Sequence, residues 1–354
     1  MRILQLLLFP ISLCYGMIML VRNLLFDFGI LHSEKFDIPT ISVGNLSAGG
    51  TGKSPHIEYL IRLIGDNETT ATLSRGYSRE STGFILASKK SDVKEIGDEP
   101  LQFVGKFNDI KVAVDEKRVR GIQKLTAMFP GLQLILLDDA FQHRWVKPGL
   151  SIILTDYHQL FTEDYVIPSG LLREFRCGYK RADIIVVTKT PRVLSPITRR
   201  RIQDEINPRP YQKLFFSFIN YGSIIPVNVD QDMTVLKKLT YILLFTGIAN
   251  DYPLQEEFRR KCAELSVIKF PDHHKYNLKD IEKIRSKFID LPSRKKIIIT
   301  TEKDMMRLNT PEFGKLLKDL PLFYIPMQID FHEKDKSEFN KLILDYVGQD
   351  QRNS

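Results

Sequence analysis

A chain of 354 residues, 43% hydrophobic and 27% charged, is long enough to bury more than one core and too apolar to be disordered throughout. Its net charge of +8 favours anionic partners, but no concentrated basic run is interleaved with aromatic residues, so no nucleic-acid partner is expected. Cys14, Cys177 and Cys262 lie far apart, without metal-ligand spacing or a disulfide framework, which fits a reducing compartment.

The first predicted element is an apolar helix. Ile3 to Val21 carries no charged side chain and is bounded by Arg2 and Arg22. That length approaches the ~20 residues needed to span a bilayer. Pro10 and Gly16 interrupt the run, so a straight spanning helix is not assured. No small-x-small cleavage site follows, which argues against a signal peptide. The expectation is a membrane-associating helix over 1–30, lying on or anchored in the surface, with Arg22 among acidic headgroups.

Short β-branched runs then alternate with helix-length segments. They include Pro39 to Val43, Ile110 to Val114, Leu132 to Leu137, Leu150 to Leu154 and Ala182 to Val187. Near-continuous apolar strands with helical spacers predict a mostly parallel sheet covered on both faces, an α/β domain of the phosphate-loop type over 31–225. Leu214 to Ile219 reads as a further strand, Asn220-Tyr221-Gly222 as a turn and Asn228 to Lys238 as a link. A second series, Tyr241 to Phe245, Ser266 to Phe270, Lys296 to Thr300 and Leu322 to Pro326, predicts a smaller α/β domain over 226–348, with a tail at 349–354.

The chemistry concentrates after the first strand. Ser47-Ala48-Gly49-Gly50-Thr51-Gly52-Lys53-Ser54 fits the template G-x-x-x-x-G-K-[ST], with Ser47 in place of the leading glycine. A strand precedes it and a helix-like segment follows, which is the context the motif demands. Glycines let backbone N–H groups converge on phosphate oxygens at a helix start. Lys53 would reach the outer phosphates and the Ser54 hydroxyl would ligate magnesium. Asp138-Asp139 ends another strand, where a carboxylate would serve the same ion. Val187-Thr188-Lys189-Thr190-Pro191 occupies the place of the guanine-reading Asn-Lys-x-Asp but lacks its aspartate, so ATP is the expected nucleotide.

Further blocks complete a pattern: Gly44-Asn45, Ser74-Arg75-Gly76-Tyr77-Ser78-Arg79, Gly97-Asp98-Glu99-Pro100 and Asp138-Asp139-Ala140-Phe141-Gln142-His143-Arg144. Pro168-Ser169-Gly170-Leu171-Leu172-Arg173-Glu174, Phe270-Pro271-Asp272-His273-His274 and Thr301-Glu302-Lys303-Asp304 follow. In this order, from the apolar start to about residue 305, the chain resembles the tetraacyldisaccharide 4'-kinase family of lipid A biosynthesis. Ala140, where many relatives have glycine, and Ser54, for a frequent threonine, are its departures; the second keeps the hydroxyl.

The resemblance implies transfer of the ATP γ-phosphoryl group to the 4'-hydroxyl of a lipid A disaccharide 1-phosphate, with Mg2+, at the cytoplasmic face of the bacterial inner membrane. It also implies two α/β domains flanking a cleft and a helix that engages the membrane. By resemblance Asp98 is the base and His273 its partner. Read alone, Gly97-Asp98-Glu99-Pro100 is an exposed acidic turn and Asp272-His273-His274 a surface cluster or loose metal site. Glu99, Asp138 and Asp139 are carboxylates for the metal, unranked. Asn45, Arg75, Arg79, His143, Arg173 and Glu174 are candidates for phosphate or substrate, Glu174 as the group that orients Arg173. Lys303 and Asp304 read equally as a nucleotide or interdomain contact or as a turn. The alternatives are a kinase of another glycolipid and a membrane-docked ATPase switch.

Overall fold

The computed structural model describes residues 2–65, 70–77, 79–227, 240–248, 251–272, 274–308, 313 and 316–351. The chain forms two compact units, residues 1–220 with 329–354, and residues 221–328.

The first unit opens with α1 (Arg2–Asp27), β1 (Thr40–Asn45), α2 (Lys53–Ile64), β2 (Thr70–Ser74), β3 (Ile85–Leu86), α3 (Val93–Ile96) and α4 (Asp98–Lys106). It continues through β4 (Lys111–Val114), α5 (Arg118–Met128), β5 (Leu134–Asp138), β6 (Leu150–Asp156), β7 (Ile184–Thr188), α6 (Pro196–Ile206) and β8 (Lys213–Tyr221). The second unit contains β9 (Ile225–Pro226), β10 (Tyr241–Thr246), α7 (Tyr252–Arg259), β11 (Glu264–Lys269), α8 (Leu278–Ile289), β12 (Lys296–Thr301), α9 (Glu302–Leu308) and β13 (Leu322–Ile325). The chain ends in β14 (Met327–Phe331) and α10 (Glu333–Gln351).

The larger sheet runs β14-β8-β7-β6-β1-β5-β2-β4-β3. β1 lies between β5 and β6, parallel to both, with Val43 opposite Asp138 on one side and Ile152 on the other. From β1 the chain builds one half of the sheet as far as β5, then crosses to build the other half from β6. Such a switch of direction opens a crevice at the carboxyl ends of the strands. β1, β2, β5 and β7 are buried along their whole length; β5 and β7 are near-continuous apolar runs, as a sheet covered on both faces favours, while β1 and β2 bury Thr, Ser and Asn as well.

α2 packs on this sheet through Ile57, Leu60, Ile61 and Ile64, and buries one acid among them. Glu58 is fully buried and accepts from the Lys106 ammonium at 2.7 Å and from Gln102 Nε2 at 2.7 Å. Arg62 also reaches Glu58 Oε2 at 2.9 Å but is part-exposed, so Lys106→Met removes the buried one of its two cationic partners. A loss of about 3 kcal/mol is expected, read as a lower urea midpoint, with Glu58→Met in the same chain restoring most of it.

α1 runs continuously from Arg2 to Asp27, through both Pro10 and Gly16. One face docks on the first unit by polar contacts. Ser12 Oγ donates to Ser169 Oγ at 2.8 Å, Tyr15 donates to the Arg173 carbonyl at 3.2 Å, and Asn23 Nδ2 donates to Glu174 Oε2 at 2.6 Å. Gly16 lies under the Phe175 ring, where a Cβ would come within 2.5 Å, so a glycine is needed for that approach. The opposite face exposes Leu6, Leu7, Phe9, Ile11, Leu13, Met17 and Ile18. The segment Gln5–Asp27 is long and apolar enough to cross a membrane by length and composition.

The C-terminal stretch departs from the domain limits expected above. β14 joins the first sheet beyond β8. Ile329, Phe331, Phe339, Ile343 and Val347 enter the same core as Ile41, Val43 and Phe215. Residues 329–354 therefore belong to the first unit and not to the second, because the i, i+4, i+8 stripe of α10 is spent on the first unit's core. The units divide at 220/221, within the turn expected at Asn220-Tyr221-Gly222, where β8 in fact continues to Tyr221. The expected link Asn228 to Lys238 lies outside the described residues.

In the second unit the sheet order is β11-β10-β12-β13-β9, parallel except for β9. Asp304 in α9 is fully buried and accepts from the Gly247 N–H at 3.0 Å and the Thr301 hydroxyl at 2.7 Å. Thr301-Glu302-Lys303-Asp304 thus ties the start of α9 to a neighbouring loop, the turn reading of that block.

Candidate active site

The loop between β1 and α2 is shaped by its glycines and braced from both sides. Gly49 and Gly52 have φ of 125° and 92°, which side chains rarely tolerate. Asn45 Nδ2 donates to Thr51 Oγ1 at 2.9 Å, and Thr188 Oγ1, at the end of β7, donates to the Thr51 carbonyl at 2.9 Å. The segment after the cis Ile167–Pro168 bond closes on the other edge: the Ala48 N–H bonds to the Leu171 carbonyl and the Arg173 N–H to the Leu46 carbonyl. Asn45 is fully buried and holds the loop through Nδ2, while its Oδ1 has no partner among the described residues.

Gly52 caps α2, so Lys53 and Ser54 stand at the positive end of that helix. The Ser54 hydroxyl donates to Glu99 Oε1 at 2.5 Å. Glu99 and Asp98 begin α4, whose cap, Gly97, has a φ of 90° and leaves no room for a Cβ beside the Tyr77 carbonyl at 2.7 Å. Asp98 is partly exposed, and its Oδ1 accepts the Glu99 N–H at 3.1 Å.

The carboxyl end of β5 supplies the third side. Asp139 has a positive φ of 47° and meets Lys53 at 3.7 Å and Arg173 at 3.0 Å. Asp138 is buried, and its Oδ1 has no partner among the described residues. Burial, reinforced by Glu99 and Asp139, pushes its pKa up to about 7. Beneath it lies Arg118, fully buried at the start of α5, donating to the Asp115 and Asp138 carbonyls at 3.1 and 3.2 Å. Burial lowers its pKa to about 10, so it keeps its charge. Sequence reasoning missed Arg118; the only signal was its place after the strand Ile110 to Val114, at the same sheet edge as the phosphate loop.

The other expected residues are placed unevenly. Lys53, Ser54, Asp98, Glu99, Asp138, Asp139 and Arg173 are linked by the contacts and electrostatic couplings above. Arg79 pairs with Glu116 at 2.7 Å and is largely buried, with Nη1 unpartnered among the described residues; Arg75 is exposed. Glu174 does not orient Arg173: it is buried between Asn23 and Arg181, whose Nη2 lies 2.8 Å from it, while Arg173 turns to Asp139. His143 has its pKa lowered to about 4 by burial and by Arg118, so near neutral pH it offers a neutral ring, with Nδ1 unpartnered. His273 lies outside the described residues.

A phosphate loop, an acidic strand end, an acidic helix start and a docked apolar helix constrain the fold more than the acceptor. The sequence profile of the family described as Tetraacyldisaccharide-1-P 4'-kinase matches residues 4–347. This chain belongs to that family, and it is a kinase. The tetraacyldisaccharide 4'-kinase of Bacteroides thetaiotaomicron is 45% identical, covering 98% of this chain and 94% of the relative. The protein of the same name from Flavobacterium johnsoniae is 43% identical over 98% of both chains. Among solved structures, the "apo" form of LpxK from Aquifex aeolicus in complex with ATP superposes with a TM-score of 0.72 at 26% identity, covering 97% of this chain and 99% of that one. The expected fold, a phosphate-loop sheet with a second α/β unit and an apolar N-terminal helix, is the fold of this kinase family.

Proposed function

We propose that this member of the 4'-kinase family transfers the γ-phosphoryl group of ATP to the 4'-hydroxyl of tetraacyldisaccharide 1-phosphate, giving the 1,4'-bisphosphate. The observation that carries the reading is the joining of three elements at one strand edge. The Ser54 of the phosphate loop is bonded to Glu99, Glu99 adjoins Asp98, and Asp138 and Asp139 end the neighbouring strand. Phosphoryl transfer asks the protein for positioning, charge and a base for the attacking hydroxyl. The loop's N–H groups and Lys53 hold the triphosphate. Arg173 and Lys53 flank Asp139 and offer positive charge where it develops. Asp98 takes the proton of the 4'-hydroxyl. A partner role for His273 rests on the family resemblance, and a pH–rate profile of His273→Ala tests it.

The donor set fits a magnesium ion. Ser54 Oγ, Glu99 and the unpartnered Asp138 Oδ1 are hard oxygen donors, and no cluster of three His, Cys, Asp or Glu among the described residues makes a self-sufficient metal cage. Magnesium is commonly held by one or two carboxylates together with substrate phosphates and water. When bound it would neutralise charge on the phosphates. Asp138 must be ionised to serve, and its raised pKa places that ionisation near 7. In the metal-free protein, Asp138 therefore reduces stability as pH rises from the ordinary carboxylate range toward 7. Magnesium affinity is expected to strengthen over the same interval and then level off, with proton release detectable by calorimetry in buffers of different ionisation enthalpy. Asp138→Asn should flatten that dependence.

The exposed apolar face of α1, opposite a face fixed to the first unit by Ser12, Tyr15 and Asn23, supports a helix lying in the membrane interface. The cytoplasmic leaflet supplies both ATP access and an amphiphilic acceptor. Transfer of labelled γ-phosphate from Mg-ATP to purified disaccharide 1-phosphate in detergent tests the whole reading. Hydrolysis without labelled lipid would favour an ATPase switch or another acceptor.

A further inference from the structure

Apart from the phosphate loop, the first unit contains a cavity of about 620 Å³ between the C-terminal end of α1, the loop after it and the 140–149 connection. Its polar wall comes from successive parallel strands: Ser42 on β1, Ser151 opposite it on β6, and Asp183 just before β7. Ser42 is 1% exposed, and its hydroxyl has no partner among the described residues. An unpaired buried polar group is costly, so a ligand that bonds it is favoured. Asp183 accepts the Ser151 N–H at 2.8 Å, and partial burial raises its pKa, which a cation beside it would counter.

The outer lining has the opposite charge. Lys147 is exposed and makes no ion pair among the described residues; Arg144 is half-buried and reaches Asp27 at 2.7 Å. Phe28 and Ile30, which alternate with the lining residues Gly29 and Leu31, are 76% and 69% exposed. They extend the apolar face of α1 alongside the cavity.

We propose that this cavity takes the headgroup of a bilayer phospholipid bearing a primary ammonium, with the ammonium donating to Ser42 Oγ and the Asp183 carboxylate and the phosphate held by Lys147 and Arg144. This rests on the docking of α1 at a membrane proposed above. The charge order decides the class. Asp27 is paired with Arg144 and the lining Arg181 with Glu174, whereas Asp183 makes no ion pair among the described residues, so a free phosphate or a purely anionic headgroup brings it no counter-charge. A quaternary choline carries the cation but has no N–H to satisfy Ser42. A phosphate and a primary ammonium on one short headgroup match the acid within and the cations at the rim.

The test is calorimetric titration of the full chain, in a detergent free of phospholipid, with dihexanoyl phosphatidylethanolamine, phosphatidylcholine and phosphatidylglycerol below their micelle concentrations. The ethanolamine lipid should bind about tenfold tighter than the choline lipid, as one charge-assisted hydrogen bond predicts. Asp183→Asn and the small change Ser42→Ala should each erase that preference and leave kinase activity in detergent unchanged. Lys147→Ala should weaken all three lipids alike. Equal binding of the ethanolamine and choline lipids, or tightest binding of the glycerol lipid, overturns the proposal. So does displacement of the headgroup by the disaccharide 1-phosphate, which would assign the cavity to the kinase substrate. Vesicle sedimentation reports separately on α1, so a failure of docking is distinguishable from a failure of headgroup recognition.

Discussion

Asp98→Ala is expected to lower kcat for phosphoryl transfer by about 10²–10⁴-fold, the usual worth of a positioned general base, while Mg-ATP affinity stays within a few fold. The separation follows from where Asp98 stands. It is the first residue of α4, partly exposed, and its carboxylate bonds to the N–H of Glu99; the described contacts to Ser54 come from Glu99. The loop N–H groups and Lys53 bind the triphosphate without it. Asp98→Asn keeps an oxygen for the Glu99 N–H and so preserves the start of α4, yet it cannot accept the hydroxyl proton; it should fail like the alanine variant. Single-turnover transfer of labelled phosphate to the lipid, alongside calorimetric ATP binding, reads the two quantities apart. A parallel fall in ATP affinity would make Asp98 a nucleotide or metal group, and full transfer by Asp98→Asn would place the base elsewhere.

The parts of the site legible in the sequence are those whose chemistry is local. Gly49 to Ser54 must be contiguous to wrap a phosphate, and Asp138-Asp139 must follow the strand that carries them. Arg118 was not legible for the opposite reason. Lys117-Arg118-Val119-Arg120 reads as the solvated basic face of a helix, and only the packing of α5 turns one of these side chains inward beneath Asp138. Glu174 was misread through its neighbour: adjacency to Arg173 suggested a pair, but its partners, Asn23 and Arg181, come from elsewhere in the chain. Asn45 stands beside the phosphate loop, and Arg79 was a phosphate candidate because a guanidinium pairs bidentately with phosphate. Asn45 braces the phosphate loop through Nδ2 and Arg79 pairs with Glu116, while Asn45 Oδ1 and Arg79 Nη1 have no partner among the described residues. β5 and β7 were legible as near-continuous apolar runs, whereas the Thr- and Ser-rich β2 was not read as a strand; the return of residues 329–351 to the first unit was not legible either, since an amphipathic stripe does not say which core it covers.

That return predicts the largest stability effect. Phe339→Ala is expected to destabilise the first unit by about 3–5 kcal/mol, the range for an aromatic side chain removed from a packed core. Phe339 is 2% exposed. Its ring stacks on Phe331 at 4.3 Å and meets Phe215 and Tyr59 edge-on at 5.4 and 6.1 Å. One side chain of α10 thereby holds β14, β8 and α2 together, and α2 begins at the phosphate loop. The loss should appear as a lower urea midpoint for the first unit's transition and, near that midpoint, as lost ATP binding. Leu344 lies on the same helix but is 46% exposed. Leu344→Ala should stay within about 0.5 kcal/mol of the parent. If Phe339→Ala were as mild as Leu344→Ala, α10 would be an appendage. A selective loss of several kcal/mol makes it part of the core that sets the start of α2, and so the position of Lys53 and Ser54.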